Sequence, residues 1–206
     1  GDIELQTSHL PMAQIDALGD LCRRHHLTLI EDAAQAAGAT FQGRTLGTFG
    51  KAGCLSFDYV KTITCGEGGA LLTDDEEAFR LAQAFTDHGH DHLGADRGAD
   101  QHPHIGTNYR LSELHAAVGV AQLARLDHIL DLQRRHKAIL KEGLAALGRL
   151  AFRTLPDPAG DSATFLSFLL PTEDEARQAD KALAAAGVDG CFYWFDNNWH
   201  YHRKWD

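Results

Sequence analysis

Lys61 stands in the run S-F-D-Y-V-K-T-I-T-C-G-E-G-G, residues 56–69, five positions after Ser56 and just ahead of Gly66, Gly68 and Gly69. Schiff-base chemistry needs an amine that is held against a carbonyl and partly uncharged, and glycines let backbone approach a ligand closely. A solvated loop lysine is the competing reading. Upstream, Asp32 lies in E-D-A-A-Q-A, residues 31–36, directly after the apolar run Leu27–Ile30. That run has the profile of a buried strand, so the carboxylates sit at its carboxyl end, where open α/β sheets place ligands. An acidic pair of this kind also serves as a helix cap or a solvated pair. The histidines are a third candidate: His88, His90 and His92 alternate, and His102 and His104 follow. Imidazole is the commonest metal ligand, but no further ligand spacing accompanies these residues, and solvation or a part in substrate binding competes with a metal site.

The elements that must position these groups follow from pattern. Residues 11–26 place Met12, Ile15, Leu18, Leu21 and Cys22 at helical spacing behind Pro11. From Ala33 to Gly53 the chain is small and glycine-rich, which predicts tight turns and a short helix. Residues 54–57 and 70–73 read as strands. The link between them is too short and too rich in glycine for a crossover helix, so they are expected as antiparallel neighbours. Asp74 to Glu77 cap a helix that runs to about Thr86. Residues 87–106 are polar and lack periodicity, and a segment of that length without regular structure is usually functional or mobile. A long helix is expected from Ser112 towards Leu147, ended by Gly148. Pro156 and Pro158 mark a linker, followed by a strand over 164–170 and a helix over 173–186. The aromatic-rich run from Cys191 to Trp205 is expected as a buried segment of a small domain. With the lysine loop beside it, Asp32 supplies a carboxylate able to keep a pyridinium nitrogen protonated, the electron-sink device of pyridoxal phosphate enzymes.

Composition narrows the function classes. Nineteen Lys and Arg against twenty-nine Asp and Glu give a formal charge of −10, which argues against bulk nucleic acid and an acidic membrane surface as partners. Cys22, Cys54, Cys65 and Cys191 are widely spaced without a C-x-x-C pair, so neither a zinc knuckle nor a disulfide framework is expected. No apolar run approaches the roughly 20 residues that span a bilayer. Together these point to a soluble cytoplasmic protein.

Three blocks in order, I-E-D-A-A-Q-A-A-G (30–38), S-F-D-Y-V-K-T-I-T-C-G-E-G-G-A (56–70) and G-T-N-Y-R-L-S-E-L-H-A-A (106–117), resemble the DegT/DnrJ/EryC1/StrS sugar aminotransferases, fold-type I pyridoxal phosphate enzymes. The resemblance implies a three-layer α/β/α large domain of the aspartate aminotransferase type, incomplete, over residues 1–150. The start of a small α/β domain would follow over 151–206. It implies that Lys61 is the catalytic lysine, bound to pyridoxal 5'-phosphate as a Schiff base and later moving a proton between substrate carbon and cofactor. Asp32 would pair with the pyridine nitrogen, Gln35 would contact the phenolic oxygen and Ser56 the phosphate. Asn108 would reach the phosphate of a neighbouring subunit, making a homodimer with a shared active site.

The implied reaction moves an amino group from an amino acid, expected to be glutamate, to a free or nucleotide-linked keto-sugar, for lipopolysaccharide or another polysaccharide. Lysine at position 61, where the family's dehydratases carry histidine, favours transamination. The aromatic run resembles that of 8-amino-3,8-dideoxy-octulosonate aminotransferases. Complete members carry a long segment ahead of the Pro11 helix, with the phosphate-binding loop and a ring-stacking residue, and neither end of this chain reads as the end of a finished domain. A fragment is therefore expected, and a non-catalytic relic acting in association, or a His-rich metal-binding protein, stand as the other functional readings.

Overall fold

The computed structural model describes residues 15–196, together with the backbone of residues 3–6. Its strands and helices in chain order are β1 (Ile3–Gln6), α1 (Ile15–Arg24), β2 (Leu29–Asp32), β3 (Thr40–Phe41), β4 (Arg44–Thr45), β5 (Ala52–Ser56), β6 (Gly69–Leu72), α2 (Glu76–Thr86), α3 (Glu113–Leu123), α4 (Leu126–Ala145), β7 (Ala151–Phe152), β8 (Phe168–Leu169) and α5 (Glu173–Ala185). The chain divides into two compact units, one of residues 1–137 and 154–165, the other of residues 138–153 and 166–206.

The first unit is built on a four-stranded sheet in the order β1-β2-β5-β6. β1, β2 and β5 run parallel, with Ile30 opposite Ala52 and Asp32 opposite Cys54. β6 returns antiparallel to β5, pairing Cys54 with Leu71 and Ser56 with Gly69, as the short glycine link requires. Because side chains alternate along a strand, the sheet has two unlike faces. Leu29 and Glu31 of β2 point to a buried face, where Leu29 joins Ile15, Cys22, Ala33, Ala36, Ala39, Phe41 and Leu46 in the core. Ile30, Asp32, Cys54 and Leu71 share the other, more open face.

The region 33–51 departs from expectation: it holds the β3–β4 hairpin and no helix. The reason is local. Gln42 and Gly43 both take positive φ, 51° and 80°, which is the two-residue turn that matches the twist of a hairpin. The long helix expected from Ser112 to Leu147 is two helices, α3 and α4, separated at Ala124 and Arg125, where the Arg125 N–H bonds back only three residues to the Gln122 carbonyl. No glycine or proline marks this break. It follows from packing: Leu126 and Leu130 of α4 close over Gly38, where a Cβ would lie 2.6 Å from Leu130 Cδ1, while Gly119 of α3 lies against Cys65.

In the second unit β7 and β8 pair antiparallel, and the strand expected over 164–170 is reduced to the two residues of β8. Thr172 caps α5, accepting from the Glu175 N–H at 3.2 Å. The Arg177 guanidinium lies 4.5 Å from the Tyr193 ring centroid and bonds Asp196. The aromatic run is not buried where it is described: Phe192, Trp194 and Phe195 are exposed. Its remainder, from Asn197 to Trp205, lies outside the described residues, as do Pro11 and Met12 of the expected first helix.

Candidate active site

The carboxyl ends of β2 and β5 lie side by side, since the two strands are parallel neighbours with Asp32 and Cys54 in register. The Ala33 N–H continues the ladder to the Cys54 carbonyl at 2.9 Å. Asp32 is half-buried and its Oδ1 accepts from the Ala34 N–H at 3.0 Å, which turns the chain sharply out of the strand. Ser56 ends β5 on the same face as Cys54 and Asp32, and its Oγ accepts from the Asp58 N–H at 3.4 Å.

Lys61 sits in the loop that follows at this end of the sheet. The loop is closed at its stem by the Phe57 N–H to the Gly68 carbonyl at 2.8 Å and by the Cys65 N–H to the Phe57 carbonyl at 3.0 Å. Ile63 and Cys65 are buried and anchor it, Tyr59 and Val60 are exposed, and Lys61 between these extremes is half-buried. Gln35, in the turn after β2, carries its Oε1 buried with no hydrogen-bond partner among the described residues. A buried amide end left unpaired is costly in a finished protein, and in either flip it has a hydrogen-bonding position to offer. Asp32, Gln35, Ser56 and Lys61 are thus gathered at one end of one parallel strand pair.

Asn108 lies on a different segment. It forms an isolated antiparallel bridge opposite Asp87, is exposed, and accepts from the Arg110 N–H at 3.3 Å. The bridge is zipped by His88 N–H to Thr107 O at 2.9 Å, Thr107 N–H to Phe85 O at 2.7 Å and Tyr109 N–H to Thr86 O at 2.9 Å. Gly89 and Gly106 meet so closely that a Cβ on Gly106 would lie 2.3 Å from the Gly89 nitrogen.

The Asp87 carboxylate fastens this latch. It is buried, accepts from Arg97 Nη2 at 2.7 Å and from Arg110 Nη1, and has His88 and His92 nitrogens at 3.4 and 3.6 Å. Burial works to raise the Asp87 carboxyl, but the hydrogen bonds from Arg110 and His88 and the charges of Arg97 and Arg110 outweigh it and hold the group down at about 2. Of the remaining histidines on the same loop only His90 is largely buried, while His102 and His104 are exposed. The His90 and His102 rings lie tilted at 53° with centroids 4.2 Å apart, and His90 Nδ1 lies 3.3 Å from Asp100. Among the described residues no group of three His, Cys, Asp or Glu side chains is placed to hold a metal ion.

Glu31 is the residue that sequence reasoning passed over. It is neither a helix cap nor a solvated partner of Asp32. It is fully buried, and its carboxylate takes the N–H groups of Gly47 and Gly50, each at 2.8 Å, and of Phe49. This stitches the 47–50 turn beneath the strand that delivers Asp32. The only local signal was the glycine at 47 and at 50, sixteen and nineteen residues away.

Residues 11–205 match the DegT/DnrJ/EryC1/StrS aminotransferase family, and the chain belongs to it. An L-glutamine:scyllo-inosose aminotransferase of Streptomyces griseus is 38% identical over an alignment 192 residues long, gaps included, that covers 86% of this chain and 42% of that protein. The Helicobacter pylori aminotransferase PseC, involved in the biosynthesis of pseudoaminic acid, shares the fold with a TM-score of 0.80 at 23% identity, covering 98% of this chain and 55% of that one. An Escherichia coli GDP-4-keto-6-deoxy-D-mannose-3-dehydratase with bound hydrated pyridoxal phosphate has the same fold, with a TM-score of 0.77 at 24% identity over 90% of this chain and 52% of that one. The α/β class and the fold expected from the sequence are therefore those of fold-type I pyridoxal phosphate enzymes. The chain spans about two fifths of the length of the curated relatives it matches.

Proposed function

We propose that this chain serves transfer of an amino group from an amino acid to the carbonyl carbon of a keto-sugar or keto-cyclitol, with pyridoxal 5'-phosphate as cofactor. The observation that carries the reading is the gathering of Lys61, Asp32, Ser56 and the unpaired Gln35 amide at the carboxyl ends of β2 and β5. These residues fit the cofactor. The Gln35 amide faces a buried position that a phenolic oxygen would satisfy, the Asp32 carboxylate suits a protonated pyridine nitrogen, and Ser56 offers a hydroxyl to phosphate. Bound pyridoxal phosphate supplies an electron sink for charge that develops on a substrate carbon. The chain's own work is then to hold and to move protons: Asp32 keeps the ring nitrogen protonated, and Lys61 Nζ carries a proton to and from the substrate carbon. The amine leaves one molecule and enters the other, so the exchange balances without an external oxidant or reductant.

The relative from Streptomyces griseus is named for glutamine as donor and a ketone-bearing cyclitol as acceptor, which supports this substrate class and brings glutamine beside the glutamate expected from the sequence. A product destined for lipopolysaccharide or another polysaccharide fits the same chemistry. A homodimer is supported by α3, which buries none of its residues and exposes Leu114, Val118, Val120 and Leu123 just after Asn108. Asn108 would reach the cofactor phosphate of the second copy. Four free cysteines suit the reducing cytoplasm, and no helix among the described residues is long and apolar enough to cross a membrane.

The test is spectroscopic. The purified chain mixed with pyridoxal phosphate should develop a visible-region absorbance that Lys61→Ala abolishes and that L-glutamine or L-glutamate discharges. Absence of the band at saturating cofactor, or its survival in the variant, overturns the reading.

A further inference from the structure

The residue after Lys61 is tied to a segment a hundred positions further along the chain. Thr62 Oγ1 lies 3.1 Å from Thr164 Oγ1, and Thr164 Oγ1 lies 3.0 Å from Ser162 Oγ. Ser162 is buried, and Thr62 and Thr164 are half-buried, so this short hydroxyl chain is largely out of water. Between its members Ala163 adopts a φ of 61°, the left-handed region that a Cβ disfavours. A non-glycine residue is kept there only when its surroundings leave it no choice.

Those surroundings are firm. Asp157 accepts from the Gln42 N–H at 2.7 Å, and Gly160 is pressed so close to Thr40 that a Cβ would lie 1.9 Å from its carbonyl oxygen. Lys137 Nζ pairs with the Asp161 carboxylate at 2.5 Å, both groups being mostly buried, and Arg134 Nε donates to the Asp161 carbonyl at 2.9 Å. Residues 157–164 thus form a strap, fixed on the β3–β4 hairpin and on α4, whose far end presents hydroxyls to the Lys61 loop. On the other side of Lys61 its own N–H closes a turn on the Asp58 carbonyl at 3.0 Å.

We propose that the Thr62–Thr164–Ser162 hydroxyl chain is a positioning device for Lys61, fixing the backbone from which its amine reaches a carbonyl. The proposal rests on the reading of Lys61 as the amine that captures pyridoxal phosphate. In that capture Nζ bonds to the aldehyde carbon, the carbonyl oxygen leaves as water, and nothing is oxidised or reduced. Thr62 and Thr164 are positioning residues, acting through the lysine between the Asp58 turn and the strap. A reacting group displaced by about 1 Å loses on the order of a hundredfold in effective concentration, so loosening one anchor of a loop has a measurable effect.

Two ligands separate positioning from general damage. Pyridoxal phosphate is bound in part through Lys61, whereas pyridoxamine phosphate already carries the amine and is bound by the remaining contacts alone. Dissociation constants of both are measured for the wild-type chain and for Thr62→Val, Thr164→Val, Thr164→Ser and Lys61→Ala. Each valine variant should weaken pyridoxal phosphate about tenfold, leave pyridoxamine phosphate within about twofold, and do no more when the two are combined. Thr164→Ser, which keeps the hydroxyl, should restore the wild-type ratio. Equal weakening of both ligands, no change in either, or full additivity of the two valines overturns the proposal. If Lys61→Ala itself leaves the ratio of the two constants unchanged, the reading of Lys61 falls and the proposal with it. If Lys61→Ala shifts the ratio and the valines do not, the positioning role alone is lost.

Discussion

Replacing Glu31 by glutamine keeps the side chain's shape and removes its charge, which makes it a direct probe of how Asp32 is delivered. In the native chain one carboxylate oxygen takes the Gly47 N–H, and the other takes those of Phe49 and Gly50. The glutamine oxygen best replaces the one with two donors, so its NH2 then faces the Gly47 N–H across 2.8 Å, donor against donor, at a fully buried position. One charge-assisted bond is lost and one buried N–H is left unpaired, while two bonds weaken from charged to neutral. Together these cost about 2–4 kcal/mol. Against a total stability of roughly 5–15 kcal/mol and a urea slope of about 2 kcal/mol per molar, the unfolding midpoint should fall by about 1–2 M. Glu31→Ala, which abandons all three donors, should fall further. Urea titration followed by far-ultraviolet circular dichroism reads both. A Glu31→Gln midpoint within about 0.3 M of wild type would refute the reasoning, since that corresponds to the scatter of an ordinary surface substitution.

The Asp87 latch should be pH-dependent on the acid side. Its carboxyl is held at about 2 against an ordinary 3.8, because the pull of Arg110, His88 and Arg97 overcomes burial. The latch is at full strength above about pH 4 and is lost as pH falls through 2, and exchange protection of the Thr107 and Tyr109 amides should follow that course in wild type and lose it in Asp87→Asn. Gly38→Ala should destabilise by about 1–3 kcal/mol, because a Cβ there strikes Leu130 at 2.6 Å on a backbone with φ of +75°. By contrast Gly143→Ala, with nothing within 4 Å in the body of α4, should stabilise by about 0.5–1 kcal/mol. Denaturant midpoints check both. Val118→Asp on the open face of α3 should shift the proposed dimer to monomer in sedimentation, with the fold unchanged.

What the sequence made legible was whatever is decided within a dozen residues. The acidic cap of α2, the antiparallel turn from β5 to β6 and the placing of Asp32 at the end of a strand all rest on local composition. The short helix expected in 33–53 failed because a pair of residues, Gln42 and Gly43, took a hairpin turn that composition alone left open. The break between α3 and α4 carries no local mark, since Leu126 and Leu130 are drawn to Gly38, about ninety positions earlier. Around the site the same division holds. Lys61 and Asp32 stood out as candidates by type and spacing, whereas Gln35 and Ser56 entered as candidates through the resemblance to the family. The groups that hold their surroundings in place, Glu31 on the 47–50 turn, Asp87 on Arg110 and Thr164 on Thr62, depend on pairings between distant segments that no short window contains.

Capture of the cofactor by one particular amine, Lys61 Nζ, can be read directly. The purified chain should be mixed with pyridoxal phosphate, reduced with borohydride to make the attachment permanent, digested and mapped by mass. The added mass is expected on the peptide bearing Lys61 and should disappear when free pyridoxamine phosphate competes. Label found instead on Lys51 or Lys137, or spread evenly over the lysines, would contradict it.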